Sequence, residues 1–96
     1  MIDFVFTSKF KRDLAKINQE VFFSEGWIEV IYCLKNGKTM SAARKDHPLH
    51  GELKHCRDCH IKGDLVLIYE RQKDCIIFHQ IGSHSELGIM KKGKNR

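Results

Sequence analysis

Ile2, Phe4 and Phe6 alternate with Asp3, Val5 and Thr7 at the head of the chain, the two-residue period of a strand rich in aromatic and β-branched side chains. The period then changes. Phe10, Leu14, Ile17 and Val21 recur at intervals of four, three and four, which lays one apolar stripe along a helix that Thr7 or Ser8 can cap. Lys9, Lys11, Arg12, Asp13 and Lys16 occupy its other faces. Ser24 can cap a second helix, with Trp27, Ile31 and Leu34 as its stripe and Ile28 and Val30 widening it. Asn36-Gly37 predicts its end, because either residue tolerates positive φ. Together these segments predict a two-helix hairpin packed on a sheet, and residues 41–44 can add a short helical turn.

Pro48 disfavours helical geometry at His47, so residues 46–51 read as a loop. Three strand candidates follow, over about residues 53–61, 65–71 and 75–81. Lys62-Gly63-Asp64 and Gln72-Lys73-Asp74 are turn-like links between them, and links this short imply antiparallel hairpins. The order is an N-terminal strand, a two-helix hairpin, then a three-stranded antiparallel meander. That predicts an α+β domain with the helices on one face of an antiparallel sheet. A single domain over residues 1–90 is expected, and the basic tail 91–96, which lacks any apolar pattern, is expected to be flexible.

A chain of 96 residues can bury roughly 60–65% of its unfolded surface, enough for one modest core. Its net charge of +5 favours an anionic partner, either nucleic acid or an acidic protein segment. No stretch approaches the ~20 apolar residues of a membrane span, so no membrane partner is expected. The N-terminus has no basic leader before a long apolar run. A cytoplasmic protein is the expectation, with its four cysteines as reduced thiols.

All six histidines fall after residue 46. Alternation along 53–61 puts Asp58 and His60 on the same strand face, roughly 6.5–7 Å apart at Cα. A carboxylate at that range can orient an imidazole, the side chain that gives and takes protons near neutral pH. A solvated polar strand would explain this pair equally well. Chain direction adds more. The first meander strand ends, the second begins and the third ends at one sheet edge, so His60, Asp64 and His84 converge there, with His47 in the loop before. Lys54, Arg57 and Lys62 border the same strand and can hold a phosphate, or simply line a solvated edge.

Cys56-Arg57-Asp58-Cys59-His60 matches the C-x-x-C-H pattern of covalent haem attachment. That attachment needs an exported protein, and alternation would send the two cysteines to opposite faces. Zinc held by Cys56, Cys59 and two histidines is the better rival. It lacks a second C-x-x-C, however, and His47 and His50 precede the cysteines. Cys33 and Cys75 read as small buried residues, and Trp27 as core.

Lys45-Asp46-His47-Pro48-Leu49-His50-Gly51, then Lys54, Arg57-Asp58, His60-Ile61, Asp64 and Leu67-Ile68-Tyr69, closing with Gly82-Ser83-His84 and Leu87, strongly resembles the YafQ branch of the RelE/ParE toxin superfamily. The resemblance implies a RelE-like fold and a type II toxin that cuts messenger RNA in the ribosomal A site. It implies a small cognate antitoxin that wraps the toxin and, with it, represses transcription, so operator DNA would be met only through the antitoxin. It also implies His47, Asp58, His60, Asp64 and His84 as the catalytic set, with no metal or cofactor required. Lys54, Arg57 and Lys62 are the RNA-binding candidates. In place of the family's phenylalanine after the late leucine stands Gly88. Two other readings differ in class. One is a non-enzymatic gyrase poison on the same fold, and the other is a small zinc-binding interaction module.

Overall fold

The structure is a computed structural model, and it describes residues 2–87. The predicted tail 91–96 and Gly88 lie outside the described residues. The elements run β1 (Asp3–Phe6), α1 (Ser8–Leu14), α2 (Glu25–Asn36), β2 (His47–Pro48), β3 (Arg57–Lys62), β4 (Leu65–Arg71), β5 (Cys75–Ser83) and α3 (His84–Leu87), with 3-10 turns at Gln19–Phe23, Ala42–Arg44 and Gly51–Leu53. The sheet order is β1-β5-β4-β3-β2. The α+β class and the meander follow the sequence pattern, but the sheet is mixed rather than antiparallel, because β1 pairs parallel with β5. The expected loop 46–51 also contributes a fifth strand, with His47 opposite Asp58 and Pro48 opposite Arg57.

The first helix is shorter than its stripe suggests. It stops at Leu14, and Asn18 turns extended and accepts a hydrogen bond from the Glu20 backbone. An asparagine that can bond its own neighbourhood offers the chain an alternative to the helix ladder. Ile17 and Val21 still pack on the core, which is why their spacing looked helical. The second helix forms as expected. Ser24 accepts from the Trp27 amide, and Gly37 ends the helix at φ 64°. Its stripe is narrower than expected, because Val30 and Leu34 are buried while Ile28 is exposed.

The helices cover one face of the sheet. Phe10, Val30, Leu34, Cys59, Ile61, Leu67, Tyr69, Ile76, Phe78 and Ile81 form the core there, with Trp27 partly buried against it. By alternation Asp58, His60, Val66, Ile68 and Glu70 point to the opposite face. Gly26 sets how closely α2 approaches β3, since a Cβ there would overlap the Ile61 carbonyl and the Arg44 guanidinium. The strand register of β5 shifts between Phe78, opposite Tyr69, and Gln80, opposite Ile68, leaving His79 as an extra residue. The bulge is held from the helix side. The Thr7 hydroxyl donates to the His79 carbonyl at 3.0 Å, and buried Asp13 accepts from the Ile81 amide at 3.1 Å.

Candidate active site

The edge that the chain directions select is where β3 ends, β4 begins and β5 runs into α3. His84 is placed there by local chemistry. The Ser83 hydroxyl accepts from the Glu86 amide at 3.2 Å, and the Glu86 carboxylate accepts from the Ser83 amide at 2.9 Å. This reciprocal capping box starts the single turn of α3, whose first residue is His84. Gly82 beneath it leaves room for Glu86 and Leu87 to fold back. The His84 Nδ1 then lies 3.0 Å from Asp64 Oδ1 in the β3–β4 turn. The His60 ring lies 5.2 Å from the His84 ring, centroid to centroid.

His47 approaches from the other side. Its Nε2 is 2.8 Å from Asp58 Oδ1, and its Nδ1 is 3.0 Å from the Pro48 carbonyl. The Asp58 contact is close but is not an aligned hydrogen bond, and Oδ1 has no well-directed donor among the described residues. Asp58 is 2% exposed. Burial pushes its carboxyl up from the ordinary carboxylate range, the charges of His47 and His84 pull it back, and Asp46 adds to the rise. Burial holds the His60 imidazole below its ordinary range, and the positive charges of His84, Lys45 and His47 act in the same direction against Asp64. His47, Asp58, His60, Asp64 and His84 are therefore one electrostatic unit.

The basic candidates separate. Lys54 and Lys62 are exposed, at the end of the Gly51–Leu53 turn and at the end of β3. Arg57 faces the helix side with Tyr69, and its Nε donates to Asp46 Oδ1 at 3.0 Å. The Tyr69 hydroxyl donates to the same oxygen at 2.7 Å. This Asp46 clamp sits one residue before His47, and sequence reasoning missed it. It missed Arg44 too, whose Nη1 donates to the carbonyls of His60 at 3.2 Å and Ile61 at 2.7 Å. Lys45 was also missed as a site element. It holds a left-handed turn at φ 48° and lends its charge to His60. Neither Arg44 nor the Asp46 clamp carries a local sequence signal, because each bridges segments distant in the chain. The capping box did carry one, in Ser83-x-x-Glu86.

Among the described residues, Cys56 and Cys59 do not join a shared metal-binding group. Cys59 is fully buried in the helix-side core and Cys56 lies on the other parity. Cys33 is buried as expected, whereas Cys75 is only partly buried. A separate group gathers at the far end of β4, where ligand atoms of His55, Cys56 and Glu70 lie within 4.8 Å of one another.

The family model described as bacterial toxin of type II toxin–antitoxin system, YafQ, matches residues 2–89. A Haemophilus influenzae protein named for the toxin YafQ is 40% identical over 81 residues, 80% of this chain and 79% of that protein. The mRNA interferase toxin YafQ of Escherichia coli K12 is 37% identical over 54 residues, 56% of this chain and 59% of that protein. Among solved structures, a copper-bound mutant toxin from Helicobacter pylori superposes with a TM-score of 0.81 at 34% identity, covering 91% of this chain and 99% of that one. The toxin–antitoxin complex of DinJ and YafQ from E. coli superposes at 0.73 with 28% identity, covering 90% and 96%. The family match over residues 2–89 and the likeness to the Haemophilus influenzae relative show that the chain belongs to the YafQ family of bacterial toxins of type II toxin–antitoxin systems.

Proposed function

We propose that this toxin is a ribosome-dependent endoribonuclease that cuts messenger RNA by metal-free general acid–base chemistry. The observation that carries the reading is the pairing of His60 and His84 at 5.2 Å, with a carboxylate on His84 and a buried carboxylate beneath His47. RNA supplies its own nucleophile. His60, kept neutral by its surroundings, takes the proton of the 2′-OH as that oxygen attacks phosphorus. The P–O5′ bond breaks, and His84, oriented through Nδ1 by Asp64, gives its proton to the leaving 5′-oxygen. The products are a 2′,3′-cyclic phosphate and a 5′-hydroxyl. His47 and the Asp58 carboxylate complete the field around the phosphate. Lys54 and Lys62 hold the backbone from the strand's two ends, while Arg57 holds the Asp46 loop that carries His47. The relative named an mRNA interferase supports the substrate class.

The partner is a cognate antitoxin, as in the DinJ–YafQ complex of the E. coli relative. A net charge of +5 favours an acidic segment. Phe23, at the end of the turn before α2, and Ile28 and Tyr32 on α2 leave an apolar strip exposed, the kind of surface an amphipathic segment covers.

His84→Ala tests the reading. The variant should relieve growth arrest and lose cleavage of translated mRNA by at least 10²-fold, with an unchanged circular dichroism spectrum. Equal toxicity from a folded His84→Ala protein would sink the nuclease assignment. Equal toxicity together with DNA damage would favour the gyrase-poison reading instead.

A further inference from the structure

The face of the sheet away from the helices carries a second cluster of side chains that the acid–base chemistry does not use. Glu70 closes β4 at the end opposite His60. His60 pairs with Val66, and Glu70 lies four residue steps along the strand from Val66, about 13 Å at ordinary strand rise. Glu70 Oε1 lies 2.9 Å from His79 Nε2 and 3.9 Å from His55 Nε2. The two imidazoles stand 6.3 Å apart, centroid to centroid, across that carboxylate. Cys56 Sγ completes a set with His55 and Glu70 whose ligand atoms lie within 4.8 Å of one another. Three separate segments meet here: the turn before β3, the end of β4 and the bulge of β5.

We propose that His55, Cys56, Glu70 and His79 form a binding site for a single zinc-like divalent cation, distinct from the nuclease centre. One thiolate, one carboxylate and two neutral imidazoles are a four-ligand N₂SO set suited to tetrahedral Zn²⁺, and their two negative charges balance the ion's. Bonds of 2.0–2.3 Å at tetrahedral angles need ligand atoms roughly 3.3–3.8 Å apart. The ligand atoms of His55, Cys56 and Glu70 lie within 4.8 Å of one another, and His79, 2.9 Å from Glu70, joins them as the fourth ligand by rotation of its side chain. The backbone is already held. The Cys56 amide donates to the Leu53 carbonyl at 2.8 Å, and the Cys56 carbonyl accepts from the Leu49 amide at 3.0 Å. His79 occupies its place because it is the extra residue of the bulge. The two rims differ in access: Cys56 is buried, whereas the His55 side chain is 54% exposed, which leaves an entry path.

The bulge ties the site to the rest of the sheet. A bound ion would link the start of β3 to β5 and lock the strand that leads to His84. Its role is therefore structural, and it adds no step to the cleavage chemistry. The inference does not depend on the nuclease reading, because its test does not use cleavage.

The test is metal binding by the purified full chain, with thiols reduced and prior metal removed by chelation. Titration with Co²⁺ should saturate at one equivalent and give a thiolate-to-cobalt charge-transfer band, and Zn²⁺ should displace the cobalt and abolish the band. Cys56→Ser should lose the band. Glu70→Gln and His79→Gln should each weaken binding at least tenfold. The double variant His60→Gln/His84→Gln should bind as tightly as the parent. If Cys56→Ser does not fold, His55→Gln at the exposed rim must show the same tenfold loss. No saturable binding by the reduced parent would overturn the proposal. So would binding that survives in Cys56→Ser but vanishes in the His60/His84 double variant, since the ion would then sit at the other end of the sheet.

Discussion

Tyr69→Phe isolates the clamp that holds the His47 loop. The Tyr69 ring is fully buried and its hydroxyl donates to Asp46 Oδ1 at 2.7 Å. Burial, then the bond to Asp46, pushes ionisation of the phenol up, so it remains a donor throughout the neutral range. Phenylalanine keeps the ring packing and removes only that donor. A hydrogen bond to a charged acceptor contributes ~1.5–3 kcal/mol net. Asp46 keeps the Arg57 bond, and its side chain is 21% exposed, so water can replace part of the loss. The expected destabilisation is therefore in the lower part of the range, about 1.5–2 kcal/mol. For a domain of this size each kcal/mol lowers Tm by ~4–8 °C, so a fall on the order of 6–16 °C is expected. Urea denaturation with an unchanged m-value would measure it as a shift in midpoint. Activity should fall as well, although Tyr69 faces away from the histidines. Only two residues of β2 pair with β3, so His47 relies on its neighbour Asp46 for position. Asp46→Ala and the double variant close the cycle, and their effects should be strongly non-additive. A destabilisation under ~0.5 kcal/mol, or additive losses, would refute the clamp.

Two more predictions concern the histidine edge. As the proposed base His60 must be neutral, and its pKa is lowered from 6.5, so cleavage should hold through neutral pH and fall only as pH drops below that value. The unfolded chain takes up its proton first, so His60 should also make the folded protein less stable as pH falls below 6.5, until its own lower value is passed. Asp58, raised in the fold, opposes this by favouring the folded form as pH falls through its value, whereas Glu29 and Glu70, both lowered, lose stability at the acid end, so His60→Gln should remove only the fall that begins below 6.5 in a denaturation series against pH. Ser83→Ala removes the capping box, which costs ~0.5–2 kcal/mol. Cleavage at a temperature where the variant is fully folded should fall further than that loss of stability explains, because His84 begins the turn that Ser83 caps. Unchanged cleavage would show that His84 is placed without the cap.

Local periodicity made β1, α2 and the meander legible, and chain direction made the meeting of His60, Asp64 and His84 legible as well. The break at Asn18 was not, because the stripe through Ile17 and Val21 records which residues touch the core, and a 3-10 turn meets that need as well as a helix. The pairing of His47 with Asp58 was hidden for another reason. A two-residue strand has no period, and Pro48, which spoke against a helix, says nothing about the pairing of His47 with a residue 11 positions on. The basic residues illustrate the limit of face assignment. Arg57 was expected beside a phosphate because of its charge, yet its face parity is that of Tyr69, and Asp46 waits there to bind it. The bulge at His79 escaped because it depends on how β5 registers against β4 and on bonds from Thr7 and Asp13 at the other end of the chain.

Relative magnitudes separate what builds the site from what works in it. The Asp64–His84 contact is exposed on the aspartate side, 62% at the side chain, and such pairs contribute ~0–1 kcal/mol. His84 is therefore placed by Gly82 and the Ser83–Glu86 cap, and Asp64 fixes its ring orientation and tautomer through Nδ1. Asp58 is the reverse case. It is 2% exposed, sits near the start of β3, has its carboxyl pushed up by burial, and is answered by imidazoles rather than by a lysine or arginine. A buried carboxylate without well-directed donors costs stability that an apolar side chain of similar size would return. Val66 and Ile68, fully buried on the same face, fill such positions in the ordinary way. A sheet stabilised only by packing would continue that pattern through residue 58, so the charge held there marks where this fold gives up stability for chemistry.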